Sequence, residues 1–201
     1  MTAQDRALRR RSEILGAAAT VIAEKGYQET AIADIAVKLG IGHGTVYRYF
    51  DSKRHIAENV IEYVIDKIAL LVADVDPDSA ETLEDYAAQI GTLGNRLFDF
   101  FLTHRDLAAV FFFESYGVDK TLTGRMQEAV ELFGSFVERY LDNGCRKGFL
   151  RSDLDVEITA RAINGMILAG ALRAFQAADP DAQRDRWIDA IRTLMLSGMA
   201  A

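Results

Sequence analysis

The chain has 201 residues, half of them hydrophobic, with 23 Lys/Arg against 30 Asp/Glu and a formal net charge of −7. That is enough apolar material for a full core, in one domain or in a small one joined to a larger one. The lone cysteine, Cys145, excludes an internal disulfide. A polar N-terminus and the lack of any long apolar run leave no sign of a secretory leader or a membrane span, so a cytoplasmic protein is expected.

Residues 1–11 are polar and end in Arg9-Arg10-Arg11. They read as an arm, or a frayed first helical turn, of the kind that reaches a minor groove or a phosphate backbone. Residues 12–25 place Ile14, Ala18, Val21 and Ile22 on one helical face, and Gly26 suits the position just past the helix end. Tyr27 is expected in the core of this N-terminal head. From Thr30 the pattern shortens. Ile32, Ile35, Ala36 and Leu39 make one apolar stripe, and Gly40-Ile41-Gly42 then breaks it with a sharp turn. His43 to Phe50 keeps only Val46 and Phe50 for the inside. Its other side offers His43, Gly44, Thr45, Tyr47, Arg48 and Tyr49, with no carboxylate before Asp51. Hydroxyls, flat rings and a cation without negative charge suit a polyanion whose base edges are read. Two short helices around a glycine turn make a helix-turn-helix, whose second helix enters the major groove.

The run Gly40-Ile41-Gly42-His43-Gly44-Thr45-Val46-Tyr47-Arg48-Tyr49-Phe50-Asp51-Ser52-Lys53, with Gly26-Tyr27 and Ile35-Ala36 upstream, resembles the signature of the tetracycline-repressor-like (TetR/AcrR) family of transcriptional regulators. Two residues depart from its pattern. Ala31 stands where a hydroxyl usually caps the first short helix, so either Thr30 caps it instead or the cap is weaker, and Gly42 stands where serine often opens the second. DNA contacts are expected from Thr30, Gly42, His43, Gly44, Thr45, Tyr47, Arg48, Tyr49 and Lys53. In that set Gly44 admits close backbone approach and Arg48 pairs with guanine, while Tyr49, Lys53 and Thr30 hold phosphates. Lys53 sits in the first turn of a new helix, a ready phosphate site.

That helix carries Ile56, Val60, Tyr63, Val64, Ile68 and Leu71 and leaves the head; Asp76-Pro77-Asp78-Ser79 stops it, with Ser79 as the next cap. Residues 80–103 form another amphipathic helix, and a short apolar segment runs from Leu107 to Tyr116. Helices are expected over 121–147, from Asp153 or Asp155 to about Ala178, and from Pro180 onward. No strand alternation and no repeat appears. The fold class is therefore all-α: a three-helix helix-turn-helix head over residues 1–53, then a larger helical ligand-binding and dimerisation body over 54–201, about nine helices in total.

Charge divides along the same line. Residues 1–54 hold nine Lys/Arg and six Asp/Glu, the remainder 14 and 24, so a positive head joins an acidic body. The last two long helices, rich in small residues around Gly165, Ala169 and Gly170, are expected to form a homodimer interface of four helices. The middle helices hold more aromatics than a tight bundle packs, which points to an apolar cavity. Tyr86, Phe98, Phe101, His104, Phe112, Tyr116, Phe136 and Asn164 are its candidate lining, with Arg105 and Glu114 as further polar contacts. The resemblance implies a small, largely apolar effector that moves the linker helix, spreads the two heads and releases the operator, and hence repression.

Enzyme chemistry finds no purchase. No Gly-x-Ser-x-Gly, His-Glu-x-x-His or Cys-x-x-Cys occurs, and His43, His55 and His104 are scattered, so no catalytic site, cofactor or metal is expected. Gly40-x-Gly42-x-Gly44 follows a helix rather than a strand and misses the dinucleotide-loop spacing. A helical protein-interaction module without DNA is the alternative; it leaves the carboxylate-free face unexplained.

Overall fold

The structure is a computed structural model that describes residues 2–114 and 120–201, with Phe113 and Glu114 in backbone only. Among these residues it is all-α: α1 (Ala3–Lys25), α2 (Ile32–Leu39), α3 (His43–Tyr47), α4 (Lys53–Val72), α5 (Leu83–Thr103), α6 (Arg105–Ala109), α7 (Lys120–Lys147), α8 (Val156–Gln176) and α9 (Pro180–Met199). A 3₁₀ turn, Pro77–Ser79, precedes α5, and a π turn, Val110–Glu114, follows α6. Among the described residues the only extended pairing is a single bridge between Leu150 and Ala200. No helix is long and apolar enough to cross a membrane among the described residues.

The chain forms two compact units. The first comprises Met1–Lys67 and His104–Gln127, the second Ile68–Thr103 and Glu128–Ala201. The unit containing residues 1–53 thus also takes in α6. It joins α1 there: the Thr20 hydroxyl donates to the Asp106 carboxylate at 2.6 Å. The first core is built from Ile14, Leu15, Ala18 and Ile22 of α1, Ile35 and Ala36 of α2, Val46 and Phe50 at α3, and Ile56, Val60 and Val64 of α4, all buried. Residues 3–11 are helical, not an arm. Thr2 accepts from the Asp5 amide and Asp5 accepts from the Thr2 amide, a reciprocal cap that starts α1 nine residues early.

The second unit is organised around Tyr86, Tyr140, Leu141, Leu150, Ala160, Ile163, Ile191, Met195 and Met199. One cap here differs from expectation. Thr82, not Ser79, opens α5, exchanging hydrogen bonds with Asp85 at 3.0 and 3.1 Å. Ser79 lies in the 3₁₀ turn, where its hydroxyl donates to the Asp76 carbonyl. Asp155 and Asp179 cap α8 and α9 as their sequences suggest. Gly170 lets α8 close onto its neighbours: a Cβ there would lie 3.0 Å from the rings of Phe98 and Trp187.

Gly144 is tighter still. It lies inside α7, where a Cβ would meet Leu150 at 2.5 Å and Phe149 at 2.8 Å, because the chain turns at Gly148 (φ +81°) and folds back over it. Gly91, inside α5, has nothing within 4 Å. Gly144→Ala is therefore expected to destabilise the protein by about 1–3 kcal/mol through overpacking. Gly91→Ala should stabilise it by about 0.5–1 kcal/mol through backbone entropy. Thermal unfolding followed by circular dichroism checks both signs.

Candidate nucleic-acid interface

The turn between α2 and α3 needs one left-handed residue. Gly40 supplies it (φ +63°) and closes α2 by donating to the carbonyls of Ala36 and Val37. Gly42 has ordinary dihedrals (φ −66°, ψ 138°) and is the N-cap of α3 without a side-chain bond. With five residues α3 cannot hold itself. Val46 and Phe50, both fully buried, anchor it from one side. Arg11 of α1 braces Phe50, its guanidinium 5.2 Å from the ring centre and hydrogen-bonded to Asn59 of α4.

The opposite side faces solvent. Gly42, His43, Gly44, Tyr47 and Arg48 are exposed, and Thr45 and Tyr49 are half-buried. His43 and Tyr47 meet edge-on, ring centres 4.8 Å apart. A Cβ at Gly44 would meet nothing within 4 Å, so no contact within the chain requires glycine there. Seven of the nine expected contact residues therefore lie together on one carboxylate-free surface.

The other two do not. Thr30 is 3% exposed and its hydroxyl donates to the Gly26 carbonyl at 2.8 Å, so it fastens the end of α1. Of the two expected outcomes at the start of α2, a cap by Thr30 or a weaker cap, the structure has the weaker cap. Ala31 is the N-cap, and only half a capping box remains: the Asp34 carboxylate accepts the Ala31 amide at 2.8 Å, with no hydroxyl to return the bond. Lys25, 2.8 Å from Asp34, and that amide hold the Asp34 carboxyl below its usual range.

Lys53 turns inward. Its ammonium donates to the carbonyls of Tyr27 (2.8 Å) and Gln28 (2.9 Å) and lies 4.6 Å from the centre of the Tyr27 ring. Tyr27 is buried in the core. Lys53 thus ties the start of α4 to the α1–α2 loop rather than presenting a free charge.

The expected effector residues separate between the two units. Tyr86, Phe98, Phe101, Phe136 and Asn164 belong to the second, His104 and Phe112 to the first. Tyr116 and the side chain of Glu114 lie outside the described residues. Tyr86, Phe98 and Phe101 are core residues at 1–3% exposure, Phe136 is half-buried, and Asn164 is buried with its amide donating to the Val130 carbonyl at 3.0 Å. His104 and Arg105 are exposed. The Tyr86 hydroxyl is fully buried without a partner, and burial, with Cys145 nearby, pushes it well above its usual pKa. Sequence reasoning missed Arg11 and Asn59, which fix α1 and α4 about Phe50. The Thr2-x-x-Asp5 spacing was the legible signal that α1 begins early.

Lys53→Ala removes two bonds from a charged donor at a partly exposed site, so about 1–2 kcal/mol of stability should be lost. Tyr47→Ala, on the open face, should change it by no more than about 0.5 kcal/mol. Urea unfolding measures both, and equal losses would show that the inward tie carries no stability.

Residues 14–60 match the family described as bacterial regulatory proteins, tetR family, and residues 119–199 match the tetracyclin repressor-like C-terminal domain. The HTH-type transcriptional repressor KstR2 of Rhodococcus jostii is 32% identical over 159 residues, covering 76% of this chain and 73% of that protein. The fatty acid metabolism regulator protein of Bacillus subtilis is 25% identical over 155 residues, 77% of this chain and 78% of its own. The solved structure of FadR from Bacillus subtilis in complex with stearoyl-CoA has the same fold, with a TM-score of 0.72, 21% identity and coverage of 90% and 97%. A helix-turn-helix with an open, carboxylate-free recognition face, matched at both ends of the chain and by a relative across three quarters of it, places this chain in the TetR family of bacterial transcriptional regulators.

Proposed function

We propose that the chain is a homodimeric repressor that reads a two-part operator with α3 and leaves it when a small, largely apolar effector binds the body. Residues 1–53 are the reading head and residues 54–201 the sensing and dimerising part. The observation that carries this is the orientation of α3: two buried anchors on one side, and Gly42, His43, Gly44, Tyr47 and Arg48 exposed on the other. A helix presented in this way fits the major groove, with Arg48 suited to guanine and the Thr45 methyl and Tyr47 ring to thymine.

Two half-sites require two heads. The outward side of α8 carries Ile158 at 61% exposure together with exposed Ala162, Gly165 and Ala169, and α9 adds Leu194 at 61% and Gly198. Small residues around two protruding aliphatics suit close helix packing against a second copy, which supports a four-helix dimer interface. An effector with an apolar chain is supported by the stearoyl-CoA held by the Bacillus subtilis FadR structure. Within the second unit, half-buried Phe136 supplies apolar surface and the unpaired Tyr86 hydroxyl a polar atom, with Phe98, Phe101 and Asn164 packed in the core around them. Such an effector acts only if it prefers a head spacing that no longer fits the operator, with α4, which has residues in both units, as the link.

Gly44 and Arg48 give the sharpest test, because both are exposed. A Cβ at Gly44 meets nothing within 4 Å, so Gly44→Ala should keep or raise the melting temperature while weakening DNA binding. Arg48→Ala should cost about 1–3 kcal/mol of operator affinity and relax specificity at one base position. Selection of duplexes from a random pool, followed by gel shift, reads both. Undiminished operator binding by both variants would place the reading face elsewhere.

A further inference from the structure

The start of α1 protrudes. Thr2 to Arg9 are all exposed, Arg10 and Arg11 are half-buried, and the first fully buried side chain is Ile14. A helical end left in water frays unless something fixes it, and here the reciprocal Thr2–Asp5 cap does so. Its charge is lopsided. Residues 2–13 hold Arg6, Arg9, Arg10 and Arg11 against Asp5 and Glu13. Asp5 caps the helix, and Glu13 lies 3.6 Å from Arg9 and 2.9 Å from Arg10. Surface pairs of this kind are worth little in water, so a phosphate displaces them readily. Leu8 is the single large apolar side chain in residues 2–12, so the segment has no apolar face for a membrane or a helix groove.

We propose that this helical overhang is a second DNA-contacting element, with Arg6, Arg9 and Arg10 binding phosphates outside the base pairs read by α3. The inference rests on the DNA-reading function above and extends its footprint. Continuity supports it: Arg11, at the root of the overhang, stacks on Phe50, three residues past the end of α3. From Arg11 to Thr2 the helix reaches about 14 Å further at 1.5 Å per residue. Phosphate contacts of this kind add affinity and register but carry no base information.

The test compares the full chain with its Arg6→Gln/Arg9→Gln/Arg10→Gln variant on two duplexes. One is selected from a random pool by the wild type with long flanks, and the other is the same duplex trimmed to the selected core. The variant should match the wild type in helicity and melting temperature. On the long duplex its affinity should fall about tenfold or more near 0.15 M salt, with the salt slope shallower by about 2–3 and the preferred sequence unchanged. On the trimmed duplex the two proteins should bind equally. Equal affinities and slopes on the long duplex overturn the overhang's role while leaving the reading by α3 intact, and so does an equal loss on both duplexes. A wild type that selects no duplex at all overturns the DNA reading itself.

Discussion

Everything functional in the head depends on two side chains, Val46 and Phe50, sitting fully buried four residues apart. Burying each contributes on the order of 1.5–3 kcal/mol, far more than five helical residues supply by themselves. Because both anchors point the same way, they also decide what points the other way. The Gly40 turn sets where α3 begins, and Arg11, stacked on Phe50 and bonded to Asn59, closes the cage from α1 and α4. The outward face is thus a consequence of packing.

The second unit solves a different problem. Between α4 and α5 the chain is irregular, and its carbonyls need partners. Arg96 donates to the Leu71 carbonyl at 2.8 Å and grips Asp74. The Tyr140 hydroxyl donates to Val75, Gln89 to Asp76, Asn143 to Ala80, and Lys147 to Asp78 and Ala80. Side chains of α5 and α7 thereby hold the end of α4 and the loop beyond it. A helix end held in this way by several side chains resists local melting.

Much of this was legible in the residues. Periodicity gave the helices, and the Gly40 break followed by a helix with only two apolar positions gave which side of α3 is buried and which is exposed. Thr30 and Lys53 were not legible, for a shared reason. A polar side chain beside a helix end serves equally well as a donor to a ligand or to a nearby carbonyl, and sequence does not say which carbonyls are within reach. The core took both. The early start of α1 was written in Thr2-x-x-Asp5, but with Leu8 as its single large apolar residue it looked like a tail. The aromatics of the body also resisted: Phe98 and Phe101 are core, and only packing distinguishes a ring that fills space from one that lines it.

The central claim, that α3 is held from behind so that its free side meets duplex DNA, is most directly measured by following backbone amide shifts while a selected operator duplex is titrated into the isotope-labelled chain. The account predicts that the largest changes fall on residues 42–49, with the amides around Val46 and Phe50 keeping their slow hydrogen exchange. A duplex that binds tightly while residues 42–49 stay unperturbed would contradict it.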